Sequence, residues 1–227
     1  MERIAKKNIN TPAEFEKSLF GKYSEFDYKR WRLLLKRYKG YRFVDIGCYD
    51  SPLAAMAKNK YEAGETWALD FSPLIVEIHA QKHPDVNYVV GDVYNLPFKT
   101  KYFDYIVMGE LIEHLEWPER AIAQAMNVLK PGGVLALSVP LEETKAGEVD
   151  NNRHLWSFNK QDLQNLLSPY GRVKIKIFKR YRFKYHHPTI IVWCKKYDYE
   201  QEKSQSFKKT IFGAIRTPGI NVGIPPL

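Results

Sequence analysis

The sequence predicts an α/β fold in which a mostly parallel sheet carries helices on both faces, and three observations predict it. Strand-like and helical segments alternate over residues 41–139. The segment VDIGCYDSPLA places the β-branched Val44 and Ile46 before Gly47, as expected of a buried strand, a tight turn and a helix start. The next strand-like segment, WALD, ends at Asp70, 25 positions after the aspartate of the first segment. In a βαβ unit, a carboxylate at that spacing can reach the hydroxyl pair of a ribose.

The first half of the chain is predicted to alternate between helices and strands. A helix is expected over 12–39, because Thr11-Pro12 can begin it, apolar residues recur along it and Gly40 ends it, while Gly21 can interrupt it. Ser51-Pro52 and Ser72-Pro73 are typical helix starts. They predict helices over about 52–60 and 73–83. Apolar, β-branched runs predict the strands, over 41–46, 66–70, 86–91 and 103–108.

The second half continues this alternation and then departs from it. A helix over about 118–129 is expected to stop at Lys130-Pro131-Gly132-Gly133, before a strand over 134–139. After a helix over 158–167, two strand-like segments follow without a helix between them, at 172–179 and 188–196. This order predicts an antiparallel pair that closes the far edge of the sheet.

The chain is expected to have three parts: a helical cap over 1–40, a core over 41–197 and a tail over 198–227. Two glycines and three prolines lie in the last twelve residues, which argues against a packed element there. We therefore expect the tail to be mobile or docked on a partner.

Composition limits the class of protein. The net charge of +9 is uneven: residues 1–40 carry +6, residues 41–171 carry −7, and residues 172–196 carry +9. The basic flanks indicate either solvated lysines or a surface for anionic partners such as nucleic acid. No apolar run approaches the roughly 18 residues of a membrane span. The two cysteines fit reduced thiols, so a cytoplasmic protein is expected. Nothing in the sequence indicates an oligomeric state.

Acidic and glycine residues follow the first four predicted strands, at the edge where open α/β sheets bind ligands. They are Asp45 and Gly47, Asp70, Asp92, and Gly109 with Glu110. So many carboxylates would repel a phosphate-rich cofactor but would attract a cationic one. Neither a full G-x-G-x-x-G nor a P-loop is found. A sulfonium nucleoside is therefore favoured over a dinucleotide.

These segments resemble those of class I S-adenosylmethionine-dependent methyltransferases of the small-molecule, type 11/12-like subgroup. The resemblance covers roughly residues 41–196, through VDIGCYDSPLA, WALDFSP, GDVYNLPF, FDYIVMGELIEHL, LKPGGVLALSVP and HLWSFNKQDLQNLL in that order. It implies a Rossmann-like, seven-stranded sheet of order 3-2-1-4-5-7-6, with strand 7 antiparallel and helices on both faces. It also implies S-adenosyl-L-methionine as the cofactor.

The resemblance also implies a role for each matching residue. Asp70 would accept hydrogen bonds from both ribose hydroxyls and Phe71 would pack on the adenine. The remaining implied contacts fall into three groups. They are the turn under the amino acid end (Asp45, Gly47, Cys48, Tyr49), the adenine amino group (Asp92, Val93) and the methionine portion (Met108, Gly109, Glu110). Asp70 and Asp92 could instead cap a loop or a helix.

The first loop departs from the pattern G-x-G-x-G that is usual in the family. Tyr49 and Ser51 stand where the second and third glycines are expected. A side chain at position 49 crowds the cofactor if the loop requires a positive dihedral angle there, unless it points outward. A non-catalytic relative that retains the fold is therefore kept as an alternative.

Two histidines are candidates for a catalytic base, which a hydroxyl acceptor requires near neutral pH. His114 follows strand four, and His154 lies in the segment after strand five, where the family places substrate contacts. Each could instead be a structural histidine. The acidic residues are spread over separate strand ends, so no metal cluster is predicted.

Three functions remain open from the sequence. The first is transfer of a methyl group to an oxygen or nitrogen of a small metabolite, sugar or lipid-like acceptor. The second is modification of RNA or DNA through the basic flanks. The third is a non-catalytic binding protein.

Overall fold

The strands and helices of the core follow one another as the sequence predicts. A computed structural model describes residues 2–3, 23–141, 154–179 and 188–198. The strands are β1 (Arg42–Ile46), β2 (Glu65–Asp70), β3 (Asn87–Val90), β4 (Phe103–Gly109), β5 (Leu129–Pro140), β6 (Gly171–Phe178) and β7 (Thr189–Lys196). The helices are α1 (Glu25–Leu34), α2 (Leu53–Lys60), α3 (Pro73–Lys82), α4 (Pro118–Val128) and α5 (Lys160–Leu167).

The seven strands form one sheet in the order β3-β2-β1-β4-β5-β7-β6. Strands β1 to β5 pair in parallel, and β7 is antiparallel to both β5 and β6. The predicted strand order and the single antiparallel strand are confirmed. The fold class is Rossmann-like α/β, and its parallel strands all end at the same edge of the sheet.

Both faces of the sheet are buried, because successive residues of a strand point to opposite sides. On one face, Val44, Ile106 and Leu137 belong to a cluster that includes residues of α4 and α5. On the other face, Phe43 and Tyr105 belong to a cluster that includes Trp31 and Leu34 of α1. The first cluster contains Leu163 and Leu167, and the second contains Ala54 and Ala57 of α2. The sheet is therefore the middle layer of three.

Helix is present in only part of the predicted range 12–39, because the chain is not helical at Tyr23 and Ser24, close to Gly21, where an interruption is expected. Helix α1 begins at Glu25, where Ser24 accepts from the backbone N–H of Asp27 and Asp27 accepts from that of Ser24. This capping box supplies partners for two backbone N–H groups at the helix start. After Leu34 the chain makes a short 3₁₀ turn, Leu35–Arg37. The part of the prediction over 12–22 lies outside the described residues.

Strand β5 is longer than predicted. Helix α4 ends at Val128, as expected, but residues 129–133 join the strand instead of forming a separate turn. The pairing with β4 shifts register between Phe103 and Tyr105, and this irregularity accommodates Pro131, Gly132 and Gly133.

The ends of the chain are only partly described. Glu2–Arg3 pairs antiparallel with Trp156–Ser157. The chain divides into two units after Lys196, and residues 199–227 of the predicted tail lie outside the described residues. In the described parts of the chain, no helix has the length and apolar character needed to cross a membrane.

Candidate cofactor and acceptor site

The predicted site residues of four neighbouring strands lie at the carboxyl edge of the sheet. Asp45 of β1 pairs with Ala68 of β2 and with Val107 of β4. Asp70 and Gly109 are the last residues of β2 and β4. Asp92 follows two residues after the end of β3. The sheet thus places these four strand ends at one edge, as the parallel arrangement predicts.

Gly47 forms the turn that leaves β1. Its backbone has φ +71°, a conformation that favours glycine, and its N–H donates to the carbonyl of Leu69 at 2.7 Å. The N–H of Cys48 donates to the same carbonyl at 3.1 Å. A Cβ at position 47 would lie 2.7 Å from Leu111 Cδ1, so Leu111 covers the turn from the segment after β4. The local chain thus requires glycine for both conformation and space.

Asp45 is a buried carboxyl at the base of this turn, with 1% of its surface exposed. Burial raises its pKa to about 7, while a hydrogen bond from Ser51 opposes the rise and the nearby Asp70 adds to it. Its Oδ2 atom is fully buried and has no hydrogen-bond partner among the described residues. A buried carboxylate oxygen without a partner is costly, and a cationic ligand at this edge would stabilise its ionised form.

Asp70 holds the loop that follows β1 and the turn that follows β2. Its Oδ2 accepts from the Tyr49 N–H at 2.7 Å, and its Oδ1 accepts from the Ser72 N–H at 2.9 Å. The loop-capping alternative considered for Asp70 is therefore observed. A carboxylate offers about four lone-pair sites, so an aspartate can cap a loop and also accept from hydroxyl groups of a ligand. Capping and ribose binding are compatible at this residue.

Tyr49 adopts the backbone conformation that the missing glycine would favour. Its φ is +37°, and 37% of its surface is exposed. Its carbonyl accepts a hydrogen bond from Nε2 of the buried His79 at 2.7 Å. Asp50, the next residue of the loop, is held by the Tyr23 hydroxyl, which lies 2.7 Å from the Asp50 Oδ1 atom and 2.6 Å from the Asp50 carbonyl oxygen. Contacts from two other elements thus hold the loop in this strained form.

The other predicted cofactor-binding residues differ in how much of each side chain is exposed. Phe71 has 76% of its surface exposed, which leaves its ring available for stacking. Asp92 accepts from the Tyr94 N–H through Oδ1 at 2.8 Å, and Val93 packs partly against the core. The side chains of Cys48 and Met108 are buried in the core, so only their backbone atoms are available to a ligand. Burial holds the pKa of the Cys48 thiol well above its usual value.

Arg30 of α1 reaches the end of β4, which the sequence did not predict. Its Nη1 lies 3.5 Å from Oε1 of Glu110 and 3.4 Å from Oγ of Ser138 in β5. Its Nη2 lies 3.5 Å from Asp27, one turn back in the same helix. Glu110 has φ +51°, and its N–H donates to the Ser138 carbonyl. The arginine therefore joins the first helix to the strand ends beside the predicted methionine subsite.

The two candidate histidines meet next to this edge. The ring centroids of His114 and His154 are 4.8 Å apart, with an angle of 69° between the planes. His114 ends a 3₁₀ turn, Ile112–His114, directly after β4, and the N–H of Leu155 donates to the Glu113 carbonyl at 2.7 Å. One ligand atom from each of Glu113, His114 and His154 lies within 4.8 Å of the others. The sequence predicted no such cluster.

Comparisons with known proteins agree with this geometry. Residues 44–137 match a family model described as a methyltransferase domain. A demethylmenaquinone methyltransferase from Renibacterium salmoninarum is 29% identical over 119 residues, which cover 48% of this chain and 47% of that protein. A ubiquinone/menaquinone biosynthesis C-methyltransferase from Bordetella parapertussis is 32% identical over 101 residues, covering 42% of this chain and 39% of that protein. This chain thus spans less than half the length of either relative.

A solved structure shows the same fold. It is that of a SAM-dependent methyltransferase, a possible histamine N-methyltransferase, from Thermotoga maritima. The TM-score is 0.58 at 22% identity, over 80% of this chain and 98% of that one. Residues 44–137 thus match the type 11 methyltransferase domain model, and the sheet that contains them has the fold of that solved methyltransferase.

Proposed function

We propose that this protein transfers the methyl group of S-adenosylmethionine to an oxygen of a small-molecule acceptor. The observation that carries the proposal is the pair of buried carboxylates, Asp45 and Asp70, at adjacent strand ends beside the Gly47 turn. When bound, S-adenosylmethionine supplies an electrophilic methyl group and its own leaving group. The protein has to bind, align and shield the reactants from water.

Different residues at the strand ends would bind different parts of this cofactor. Asp70 at the end of β2 would accept the ribose hydroxyls, and the exposed ring of Phe71 would stack on the adenine. In its ionised form, Asp45 gives the inner end of the site a negative charge that suits the ammonium and sulfonium groups. The same charge disfavours a phosphate-rich cofactor.

The acceptor end of the site is assigned to the segment after β4. His114 and His154 lie together there, and an imidazole is suited to remove a proton from a hydroxyl near neutral pH. Two relatives are named as methyltransferases of menaquinone and ubiquinone biosynthesis, which supports a small acceptor. One of them is named as a C-methyltransferase, so a methylated carbon in the product would contradict the oxygen assignment.

The basic flank has an explanation that does not involve nucleic acid. Arg172, Lys174 and Lys176 alternate with less exposed residues along β6, the edge strand of the sheet. Exposed lysines on an edge strand prevent pairing with a second sheet. The positive charge of the described part of this flank therefore fits edge protection and leaves the small-molecule acceptor favoured.

Titration of the protein with S-adenosylmethionine by calorimetry tests the cofactor assignment. Wild type is expected to bind with one site, and Asp70→Asn to lose at least about tenfold in affinity because the ribose hydroxyls lose charged acceptors. Asp85→Asn is the matched control, since this exposed aspartate precedes β3 at the opposite edge. Wild type that fails to bind, or Asp70→Asn that binds unchanged, would contradict the enzyme and favour the non-catalytic alternative.

The acceptor class is tested separately by transfer of labelled methyl groups. Phenolic and quinol-like small molecules are offered alongside RNA and DNA at low and high salt. Label is expected in an ether of a small acceptor, with a rate that changes little with salt. Label in nucleic acid, with a rate that falls steeply with salt, would replace the small acceptor with a polyanion.

A further inference from the structure

We propose that Glu113, His114 and His154 form a binding site for a divalent transition-metal ion at the acceptor end of the site. The carboxylate and the two imidazoles each offer one ligand atom, and these atoms lie within 4.8 Å of one another. Two imidazoles and one carboxylate are a donor set typical of catalytic zinc and of open-sided iron sites. Magnesium, which prefers oxygen ligands, is disfavoured by this set.

Three contacts bring these residues together although His154 is 40 positions from His114. The N–H of His114 donates to the Leu111 carbonyl at 3.1 Å and fixes the 3₁₀ turn. The N–H of Leu155 donates to the Glu113 carbonyl at 2.7 Å, and Nε1 of Trp156 donates to the Leu115 carbonyl at 2.7 Å. These bonds attach the chain after β5 to the chain after β4, with the two imidazoles in contact.

The three residues of the cluster differ in how deeply they are buried. Glu113 has 1% of its surface exposed, whereas both histidines are half-buried. Two ligands about 2.1 Å from one ion lie roughly 3.0–3.5 Å apart, so binding requires inward side-chain movements of less than about 1 Å each. Three protein ligands leave coordination positions open. An open position on the exposed side is where an acceptor atom can bind.

The position of the cluster relates the ion to the proposed reaction. Leu111, at the start of the same turn, covers Gly47 of the cofactor loop. With the ion bound, both imidazoles are ligands, and the ion replaces them in promoting loss of the acceptor proton. An acceptor hydroxyl on the ion would lose its proton to solvent more readily, because the cation stabilises the oxygen anion. That oxygen would form a bond to the methyl carbon as the carbon–sulfur bond breaks. S-adenosylhomocysteine, the methyl ether and one proton are the products. This role rests on the proposed function, whereas the binding of the ion does not.

Cobalt(II) is the probe for the site, because its visible absorption reports its ligands. Protein freed of metal by chelation is titrated with Co²⁺ without cofactor, by absorption and by calorimetry. One ion per chain is expected to bind. Glu113→Gln and His154→Gln are each expected to lose at least about tenfold in affinity, since loss of even an outer partner of a metal ligand costs that much. His83→Gln is the matched control and is expected to bind as wild type does.

Three results of the cobalt titration would contradict the proposed metal site. Wild type that binds no cobalt, or His154→Gln that binds it as tightly as wild type, would overturn the site. Loss of binding in His83→Gln would also overturn it, since the ion would then lie elsewhere. His154 is half-buried, so its variant keeps the test valid if Glu113→Gln fails to fold. Cofactor affinity of the metal-free protein, measured in parallel, separates failure of the metal site from failure of the cofactor site.

The role of the ion in catalysis has its own test. Once an acceptor is found, the chelated enzyme is expected to lose at least about 100-fold in rate, and added Mn²⁺ or Zn²⁺ to restore it. A chelated enzyme that keeps the full rate would overturn the catalytic role.

Discussion

The protonation state of Asp45 sets how the charge of the candidate site changes with pH. A buried carboxyl with a pKa near 7 changes charge in the physiological range, unlike an exposed aspartate. Two opposing effects act on it. Desolvation favours the neutral form, whereas the ammonium and sulfonium groups of the proposed cofactor favour the ionised form.

Cofactor affinity is therefore predicted to depend on pH through Asp45. The pKa of about 7 belongs to the free protein, and a cationic ligand lowers it. Affinity should be greatest above pH 7 and should fall by up to about tenfold per unit as the pH drops below 7. Calorimetric titrations between pH 5.5 and 8.5 measure this dependence. Asp45→Asn should flatten it, and Asp85→Asn should leave it as in wild type.

The raised pKa of Asp45 also predicts how the free energy of unfolding depends on pH. Its contribution to stability is greatest at low pH, whereas cofactor affinity should be greatest at high pH. A carboxyl whose pKa is raised on folding contributes stability at low pH that is lost as the pH rises through 7. Asp45→Asn should therefore increase the free energy of unfolding at pH 8 and not at pH 4. An equal change at both pH values would mean that the substitution acts through packing and not through ionisation.

The left-handed backbone conformation of Tyr49 costs free energy, and the loop tolerates this cost. For a residue with a Cβ, left-handed backbone costs about 1–2 kcal/mol, and β-branched residues tolerate it least while asparagine tolerates it well. Tyr49→Val should therefore lower the free energy of unfolding by about 1–2 kcal/mol more than Tyr49→Asn does. Urea unfolding of the two variants measures the difference. Equal stability of the two would mean that the loop takes another conformation in solution.

At the scale of elements, helix α1 positions Arg30 against the end of β4. The capping box at Ser24 sets where the helix begins. The helix places Trp31 and Leu34 in the core and Arg30 beside Glu110.

Loss of the cap is predicted to destabilise the protein. Ser24→Ala removes the acceptor of the Asp27 N–H and should cost about 1 kcal/mol. The midpoint of urea unfolding should fall with an unchanged m value. Thr100→Ala, at an exposed turn residue, should change stability by less than about 0.5 kcal/mol. A Ser24→Ala variant as stable as wild type would show that the helix start is held by packing instead.

The elements were predictable where local pattern decides them. Val44, Ile46 and Gly47 mark the first strand and its turn, and each of the seven strands lies within a few residues of its predicted place. The start of α1 was missed because Thr11-Pro12 and Ser24 are both good helix starts by sequence. The extension of β5 was missed because prolines and glycines usually end elements, whereas here pairing with β4 overrides them.

The functional site was predictable only where its residues follow strands directly. Parallel strands end at one edge, so the positions of Asp45 and Asp70 follow from topology. Arg30 is 80 positions from Glu110, and His154 is 40 positions from His114. No local pattern reports that such residues meet, since tertiary packing alone brings them together. Sequence spacing therefore missed both the arginine contact and the cluster with Glu113.

At the scale of the whole molecule, the net charge of +9 is carried partly by the sheet edge. Strand β6 exposes Arg172, Lys174 and Lys176, while the strand ends at the site are acidic. An edge strand with these charges repels a second copy of itself. The unequal charge along the chain thus fits two proposed tasks, protection of the sheet edge and binding of a cationic cofactor.

Removal of these lysines is predicted to promote association without affecting the site. Lys174→Thr combined with Lys176→Thr keeps β propensity and removes two positive charges from the edge. Light scattering should detect larger particles at high concentration, while cofactor affinity stays within about twofold of wild type. Loss of methyl transfer in a variant that stays monomeric would instead indicate that the basic strand binds the acceptor.

The 3₁₀ turn after β4 has a consequence for how the protein takes up its ligands. Leu111 lies on the Gly47 loop at one end of this turn, and His114 lies against His154 at the other. We expect a ligand that displaces the Leu111 side chain to shift the His114 imidazole as well, because Leu111 caps the 3₁₀ turn that ends at His114. Reciprocity then requires that cofactor changes cobalt affinity by the same factor by which cobalt changes cofactor affinity. A single coupling constant, obtainable from either titration, would describe the cooperativity of this edge.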